Sequence, residues 1–396
     1  MNIYKIGVVT GTRAEYGLLK PILFKMDESN KVDLKLIVTG SHLSNQFGNT
    51  KDEIVNDGFN DIILVPIPLN DDSKKGMAIA TGEAIIQFAS VFETYHPDIL
   101  IVLGDRYEIF GAVSAAHFMG IKIAHIAGGD ITEGAVDDAI RHCLTKMCYL
   151  HFPGTEESRK RIIQMGESPD RVFNVGEFGV ENCINTQFLS RSALANKIGF
   201  SGINEEYAVV TFHPVTMENN TGVEQQSELI KALDSMDNIS YLITMANADA
   251  GGREINDKWI EEGKKRKNWK VVSSLGVSSY LSALKYAKLC IGNSSSGLVE
   301  APSLGIPTVN IGDRQKGRIR PRCVIDCAPE YDDIVSSMEK ALSEEWQYFS
   351  KHAENPFGDG TSSEQTFNII INYLETNEET KGKHFFDIEF EPSSLV

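Results

Sequence analysis

The sequence predicts an α/β protein built from two Rossmann-like, doubly wound domains. Short runs rich in Val, Ile and Leu alternate with stretches of helical period from the first residues onward. Near-continuous apolar strands of this kind belong to parallel sheets covered on both faces. The alternation pauses around residues 176–200 and then restarts. At 396 residues the chain has room for two domains, since one domain takes about 100–200 residues.

In the first half, Lys5–Thr10 (KIGVVT) reads as a buried strand, and Leu18, Leu19, Ile22, Leu23 and Met26 follow at helical spacing. Leu34–Thr39 and Ile62–Val65 are the next expected strands. A long helix is expected from Met77 to Tyr95, ahead of Ile99–Leu103 (ILIVL), a strand too apolar to face water, and of Ile121–Ile126. In the second half the expected strands are Tyr207–Phe212, Tyr241–Thr244, Lys270–Val272, Leu289–Ile291 and Thr308–Ile311. No residue-level repeat relates the halves; the architecture is what repeats. The expected domains are 1–180 and 181–360, followed by a helix over 361–375 that crosses back to the first domain. A charged, poorly packed tail is expected over 376–396. Doubly wound sheets bind ligands beyond the carboxyl ends of their strands, so the active site is expected in the interdomain cleft.

Composition excludes several classes. Hydrophobic residues make up 42% and charged residues 23%, which suits a globular enzyme and not a disordered chain, a coiled coil or a disulfide-dense module. With 38 basic and 55 acidic residues the net charge is −17. Such a surface repels nucleic acid and anionic membranes broadly, while a small anion can still bind where arginines converge. The six cysteines include no CxxC pair, so reduced thiols in a cytoplasmic protein are expected. The first apolar run begins at Ile3, leaving no room for a signal peptide, and no apolar stretch of membrane-spanning length follows.

The polar residues that carry chemistry cluster at strand ends. The first strand runs into Gly11–Thr12–Arg13, a glycine turn feeding a helix, where free N–H groups and an arginine suit a phosphate. It is not a GxGxxG fingerprint, so no dinucleotide cofactor is supported. The ILIVL strand ends in Gly104–Asp105–Arg106, and the next ends in His125 with Gly128–Gly129–Asp130 behind it. A helix then carries Asp137, Asp138, Arg141 and His142. An Asp137–Arg141 spacing alone fits an exposed ion pair; acids, histidine and arginine recurring at successive strand ends fit a site. In the second half, His213 ends a strand, and Asn247 and Asp249 follow another. The richest loop is Gly292–Asn293–Ser294–Ser295–Ser296–Gly297, expected to lead into a helix carrying Glu300. Small residues there let backbone N–H groups approach a pyrophosphate, and Glu300 suits two ribose hydroxyls. Arg314 and Arg318 add positive charge nearby.

Taken together, TGTRAEYG, GSHL, LGDRYEIF, HIAGGD, DDAIRH, FHPVT, NADAG, IGNSSSGLVEAPSLG and NIGDRQKGR closely resemble the hydrolysing UDP-N-acetylglucosamine 2-epimerases of sialic acid biosynthesis. The ordered matches run from about residue 5 to 322. The resemblance implies the two-Rossmann-domain architecture of GT-B glycosyltransferases. It implies elimination of UDP to a glycal, then hydration to free N-acetylmannosamine, with neither metal nor NAD. By the same resemblance Asp105, Asp137 and His213 are the acid–base set, while Arg13, Arg106, His213, Ser294, Ser295, Glu300 and Arg314 hold the UDP-sugar. His42 and Arg141 line the active site, and a homo-oligomer, dimer or tetramer, is implied. One departure stands out: several relatives carry glutamate where this chain has Ala127, and Asp130 is the candidate to replace it. Two alternatives stay open, a relative acting on UDP-2,4-diacetamido-2,4,6-trideoxyglucose in legionaminic acid synthesis and a non-catalytic sugar-nucleotide sensor.

Overall fold

The computed structural model describes residues 2–44, 48–71, 73–132, 136–214, 222–236, 238–246, 252–376 and 382–389. The chain divides into two units. The first comprises Met1–Asp130, Asp137–Glu181 and Thr361–Val396; the second comprises Ile131–Val136 and Asn182–Gly360.

In the first unit, strands β1 (Tyr4–Thr10), β2 (Val32–Thr39), β3 (Ile62–Val65), β4 (Ile99–Leu103), β5 (Ile123–Ile126) and β6 (Leu150–Phe152) form one sheet. Its order is β3-β2-β1-β4-β5-β6, and every pair is parallel. Successive side chains of a strand point to opposite faces, and here both faces are apolar. Ile6, Val8, Ile99 and Ile101 pack on one side with Leu19 and Leu23 of α1 (Arg13–Asp27). Val9, Leu100 and Val102 pack on the other. Their partners there are Phe88 and Phe92 of α3 (Lys74–Thr94), which follows the short α2 (Lys51–Asn56), and Ile109 and Val113 of α4 (Tyr107–Phe118). This two-sided burial is why ILIVL has no polar residue; all five of its positions are buried. After β5 comes α5 (Val136–Met147), which supplies Leu144 to the second of these clusters.

The helix Ser362–Glu375 lies in the first unit, where Ile370, Ile371, Tyr373 and Leu374 join the cluster around α1. Lys25 and Lys31 pair with its Glu364 and Glu375 at 3.4 and 2.6 Å. Buried Glu181 accepts from the Ser363 N–H at 2.6 Å. The tail beyond it departs from the expected loose segment over residues 382–389. Phe386 N–H donates to Gly166 O at 2.9 Å, and Lys383 reaches three backbone carbonyls.

The second unit holds β7 (Tyr207–Thr211), β8 (Ser240–Thr244), β9 (Trp269–Val272), β10 (Leu289–Gly292), β11 (Thr308–Ile311) and β12 (Val324–Cys327). Its order, β12-β11-β10-β7-β8-β9, is again all parallel. Counted from each unit's first strand, both sheets run 3-2-1-4-5-6, the dinucleotide-fold order. The order reverses between β1 and β4 in one unit and between β7 and β10 in the other, which marks the ends of these four strands as ligand positions. β6 and β12, each at a sheet edge, were not among the expected strands. Among the described residues no helix is long and apolar enough to cross a membrane.

Gly292 closes β10 at φ +131°, and a Cβ there would lie 1.9 Å from the Thr211 carbonyl oxygen. Gly292→Ala should therefore destabilise the second unit by at least about 2 kcal/mol. Trp259, Trp269 and Trp346 all lie in that unit, so urea unfolding followed by tryptophan fluorescence reads it directly. An unchanged midpoint would contradict this backbone conformation.

Candidate functional site

At the end of β1 the chain turns into α1 through a capping box. Thr12 accepts from the Glu15 N–H, and Glu15 Oε2 accepts from the N–H groups of Gly11 at 2.7 Å and Thr12 at 3.2 Å. The carboxylate thus occupies the donors that the sequence had offered to a phosphate. Arg13 stands at the first helical position, half-buried, with its Nε 2.8 Å from Glu53 of α2. At the end of β4, Arg106 stands at the N-cap position of α4 and donates from Nε to buried Glu108 at 2.7 Å; Glu15 Oε1 lies 4.0 Å from the same nitrogen. Two buried carboxylates thus share one guanidinium. Burial first, and then the Glu108 charge, push the Glu15 pKa well above the ordinary carboxylate range.

The ends of β4 and β5 meet the helix α5 through Arg141, which is 2% exposed. Its Nη2 donates to Asp105, its Nη1 donates to Asp130 O at 2.8 Å, and Asp138 Oδ1 lies 3.5 Å away. The Asp130 side chain accepts from Ser158 Oγ. Asp137, one turn before Arg141, is exposed on the same helix. Ala127 stands at φ +61°, a region that costs a residue with a Cβ about 1–2 kcal/mol. The chain turns there, and the carbonyls that follow, Gly129 O and Asp130 O, accept from Arg161 and Arg141.

Two sequence candidates are buried and hydrogen-bonded within the unit. His42 has no exposed surface, and both ring nitrogens are taken, by Thr10 Oγ1 at 3.0 Å and Thr50 Oγ1 at 2.8 Å. Burial holds its pKa down at about 4. It ties the end of β1 to Thr50, just before α2. His125 is equally buried, with Nε2 against Gly104 O at 2.8 Å and a pKa held by burial at about 4. It fixes the end of β4 from within the sheet.

In the second unit the ends of β7 and β10 are joined by Asn293, which is fully buried. Its side chain accepts from the His213 N–H at 2.7 Å and donates to His213 O at 2.8 Å. Its own carbonyl accepts from Arg314 Nη1 at 3.0 Å and Gln315 Nε2 at 2.8 Å. One amide residue therefore places His213 and Arg314 together. Burial, and then the Arg314 charge, hold the His213 pKa well below its usual value, so the imidazole is neutral. Beyond Asn293, Ser294 caps a single 3₁₀ turn, Ser295–Gly297, and Tyr280 donates to Ser296 Oγ at 2.8 Å. The helix expected to carry Glu300 is present but short. Glu300–Ser303 is one turn, interrupted by Pro302 and closed by Gly305 at φ +71°, so no extended helix dipole adds to the loop. Glu300 is half-buried there, its pKa raised by burial. Asn247 and Asp249 lie outside the described residues.

The structure thus gathers Asp105, Asp130 and Arg141 in one unit and His213, Ser294, Ser295, Ser296, Gly297, Glu300 and Arg314 around one loop system in the other. Sequence reasoning missed Glu15, Glu108 and Gln315, and named Asn293 only as part of the serine loop. The Thr12-x-x-Glu15 spacing was a legible capping signal, and Glu108 is a lone acid in the otherwise apolar Ile109–Ala116 neighbourhood. Among the described residues no group of three or more His, Cys, Asp or Glu side chains is placed to hold a metal ion.

Two Rossmann-type units, one gathering carboxylates around a buried arginine and the other a serine–arginine loop, place the chain among doubly wound α/β proteins with two such domains. A family model described as UDP-N-acetylglucosamine 2-epimerase matches residues 25–371. The chain is 37% identical over 97% of its length to the polysialic acid biosynthesis protein P7 of Escherichia coli, covering 97% of that protein. It is 38% identical over 88% of its length to a GDP/UDP-N,N'-diacetylbacillosamine 2-epimerase (hydrolyzing) of Campylobacter jejuni, covering 90% of it. Its fold matches the UDP-GlcNAc 2-epimerase of Neisseria meningitidis bound to UDP-GlcNAc with a TM-score of 0.78 at 20% identity, over 94% of this chain and all of that one. The chain belongs to the UDP-N-acetylglucosamine 2-epimerase family.

The Glu15 pair makes stability depend on pH. A carboxyl whose folded pKa is raised binds its proton more tightly in the native state, so stability is full below the unfolded value and falls as pH rises through the folded one. Unfolding free energy should decline between about pH 4.5 and the alkaline end of the neutral range. Glu15→Gln, which keeps the cap acceptor, should flatten that decline in urea titrations at several pH values. A parallel decline in the variant would remove Glu15 as its source.

Proposed function

We propose that the chain is a hydrolysing 2-epimerase that converts UDP-N-acetylglucosamine and water to N-acetylmannosamine and UDP. The observation that carries this reading is the Arg141-centred cluster, which holds Asp105 and the Asp130 backbone at the ends of adjacent strands. A binding protein needs no such ordered carboxylates.

The chemistry sets the roles. A C2–H beside an acetamido group is not acidic, so cleavage of the anomeric C–O bond leads and negative charge grows on the diphosphate. In this proposal Arg13, Arg106 and Arg314 stabilise that charge, with His213 and the Ser294–Gly297 loop as further partners. Glu300 accepts from the ribose hydroxyls. Asp105 removes the C2 proton to give the glycal. Asp137 and neutral His213 serve its hydration, and Asp130 stands in for the carboxylate that Ala127 lacks. In this proposal the chemistry uses neither a metal nor NAD. A homo-oligomer, dimer or tetramer, is part of the same proposal.

A second reading has specific support. The Campylobacter jejuni relative is named for a diacetylated sugar and is as similar as the polysialic acid protein. Acetamido in place of hydroxyl at C4 and methyl at C6 alter the sugar pocket and leave the reacting atoms unchanged.

Product NMR separates the readings. Incubated with UDP-N-acetylglucosamine and, separately, with UDP-2,4-diacetamido-2,4,6-trideoxyglucose, the protein should turn over the first to free N-acetylmannosamine and UDP. Turnover of the second alone would transfer the proposal to the diacetylated sugar. UDP-linked product would overturn the hydrolytic step, and binding of UDP without turnover of either sugar would make the chain a sensor.

A further inference from the structure

Lys383 follows the last helix, yet its ammonium is seated at the C-terminal end of α5. Nζ lies 2.7 Å from the carbonyl oxygens of Lys146 and Cys148 and 3.3 Å from that of Thr145. It also lies 2.7 Å from Glu167 Oε2, in a carboxylate only 1% exposed that takes Lys146 Nζ at 2.6 Å and His151 Nε2 at 3.2 Å. Burial alone would raise the Glu167 pKa, but the hydrogen bonds from His151, Lys146 and Lys383 hold it down at about 2.

The neighbouring tail residues fix this lysine in place. Phe386 N–H donates to Gly166 O at 2.9 Å, and Arg171 Nη2 donates to Gly382 O at 3.3 Å. The Phe385 ring lies so close to Gly166 that a Cβ there would be 2.3 Å from it, and Lys146 Nζ sits 4.8 Å from the ring centre.

A helix ends with unsatisfied carbonyls and partial negative charge, which a cation relieves. Here the cation comes from more than 230 residues away. The cap also reaches the proposed chemistry directly. Thr145, whose carbonyl the lysine meets, donates its hydroxyl to Arg141 O at 3.1 Å, and Arg141 binds Asp105 and Asp130 O. Asp137 and Asp138 occupy the first turn of the same twelve-residue helix.

We propose that Lys383 is a positioning residue, and that segment 382–389 is a strap holding α5 so that Arg141 and Asp137 keep their places relative to Asp105. The kinetic arm rests on the epimerase reading above; the exchange arm does not. Three full-length variants test it: Lys383→Met removes the charge, Lys383→Arg keeps charge and donors, and Phe385→Ala loosens the strap while leaving the lysine. Steady-state kinetics on the accepted sugar nucleotide and hydrogen exchange of the α5 peptide are measured together.

Lys383→Met should lower kcat about 10-fold with KM within about 2-fold, and α5 amides should exchange about 10-fold faster. Lys383→Arg should restore both. Wild-type kcat and exchange in Lys383→Met would overturn the proposal, as would slowed turnover with unchanged α5 exchange or failure of arginine to rescue. Should Lys383→Met not fold, Phe385→Ala is read by the same criteria. If the wild-type protein turns over neither sugar, the epimerase reading fails and the exchange comparison alone decides the strap.

Discussion

A buried guanidinium governs how the first unit is organised. Removing a charge from water is costly unless partners compensate it, and leaving one partner unpaired costs about 3–5 kcal/mol. Arg141, at 2% exposure, finds its partners on three elements: Asp105 after β4, the Asp130 carbonyl after β5, and Asp138 on its own helix. The strand ends and α5 can satisfy this charge only when all are in place. The same condition that stabilises the unit therefore sets the geometry of the acids proposed to act on the sugar.

The second unit solves its positioning problem without charge. Asn293 uses its amide to grip both backbone groups of His213 and its carbonyl to receive Arg314 and Gln315. A neutral residue here avoids adding a fixed charge beside a site proposed for an anion. It also leaves the imidazole neutral, since burial and Arg314 both oppose its protonation. The serine loop beyond Asn293 supplies small side chains and one 3₁₀ turn, so donors there act individually and not through the dipole of a long helix.

The fold was legible where burial is two-sided. Strands such as ILIVL and Tyr207–Thr211 are buried at every position because helices cover both faces of each sheet. Leu150–Phe152 and Val324–Cys327 escaped notice because they are short edge strands; one contains a histidine, the other an aspartate with an exposed face. Strand-end acids and arginines were legible as chemistry, since polar residues have little reason to recur there otherwise. His42 and His125 show the limit of that logic: a histidine beside a strand end serves equally well as a buried hydrogen-bonding post, and only burial distinguishes the two. Asn293 was invisible as an organiser because its side chain meets backbone groups, which every sequence possesses. The anchored tail lay beyond periodicity altogether, because a single lysine meeting distant carbonyls leaves no pattern.

The central claim is that Asp105, oriented by Arg141, removes the C2 proton. Asp105→Asn, which retains an acceptor for the guanidinium, is incubated with UDP-N-acetylglucosamine in deuterated water and the sugar analysed by mass spectrometry, with circular dichroism confirming the fold. Release of UDP and formation of C2-deuterated N-acetylmannosamine should both fall by about 10²-fold or more. Deuterated product formed near the wild-type rate would contradict this and transfer the role to Asp130.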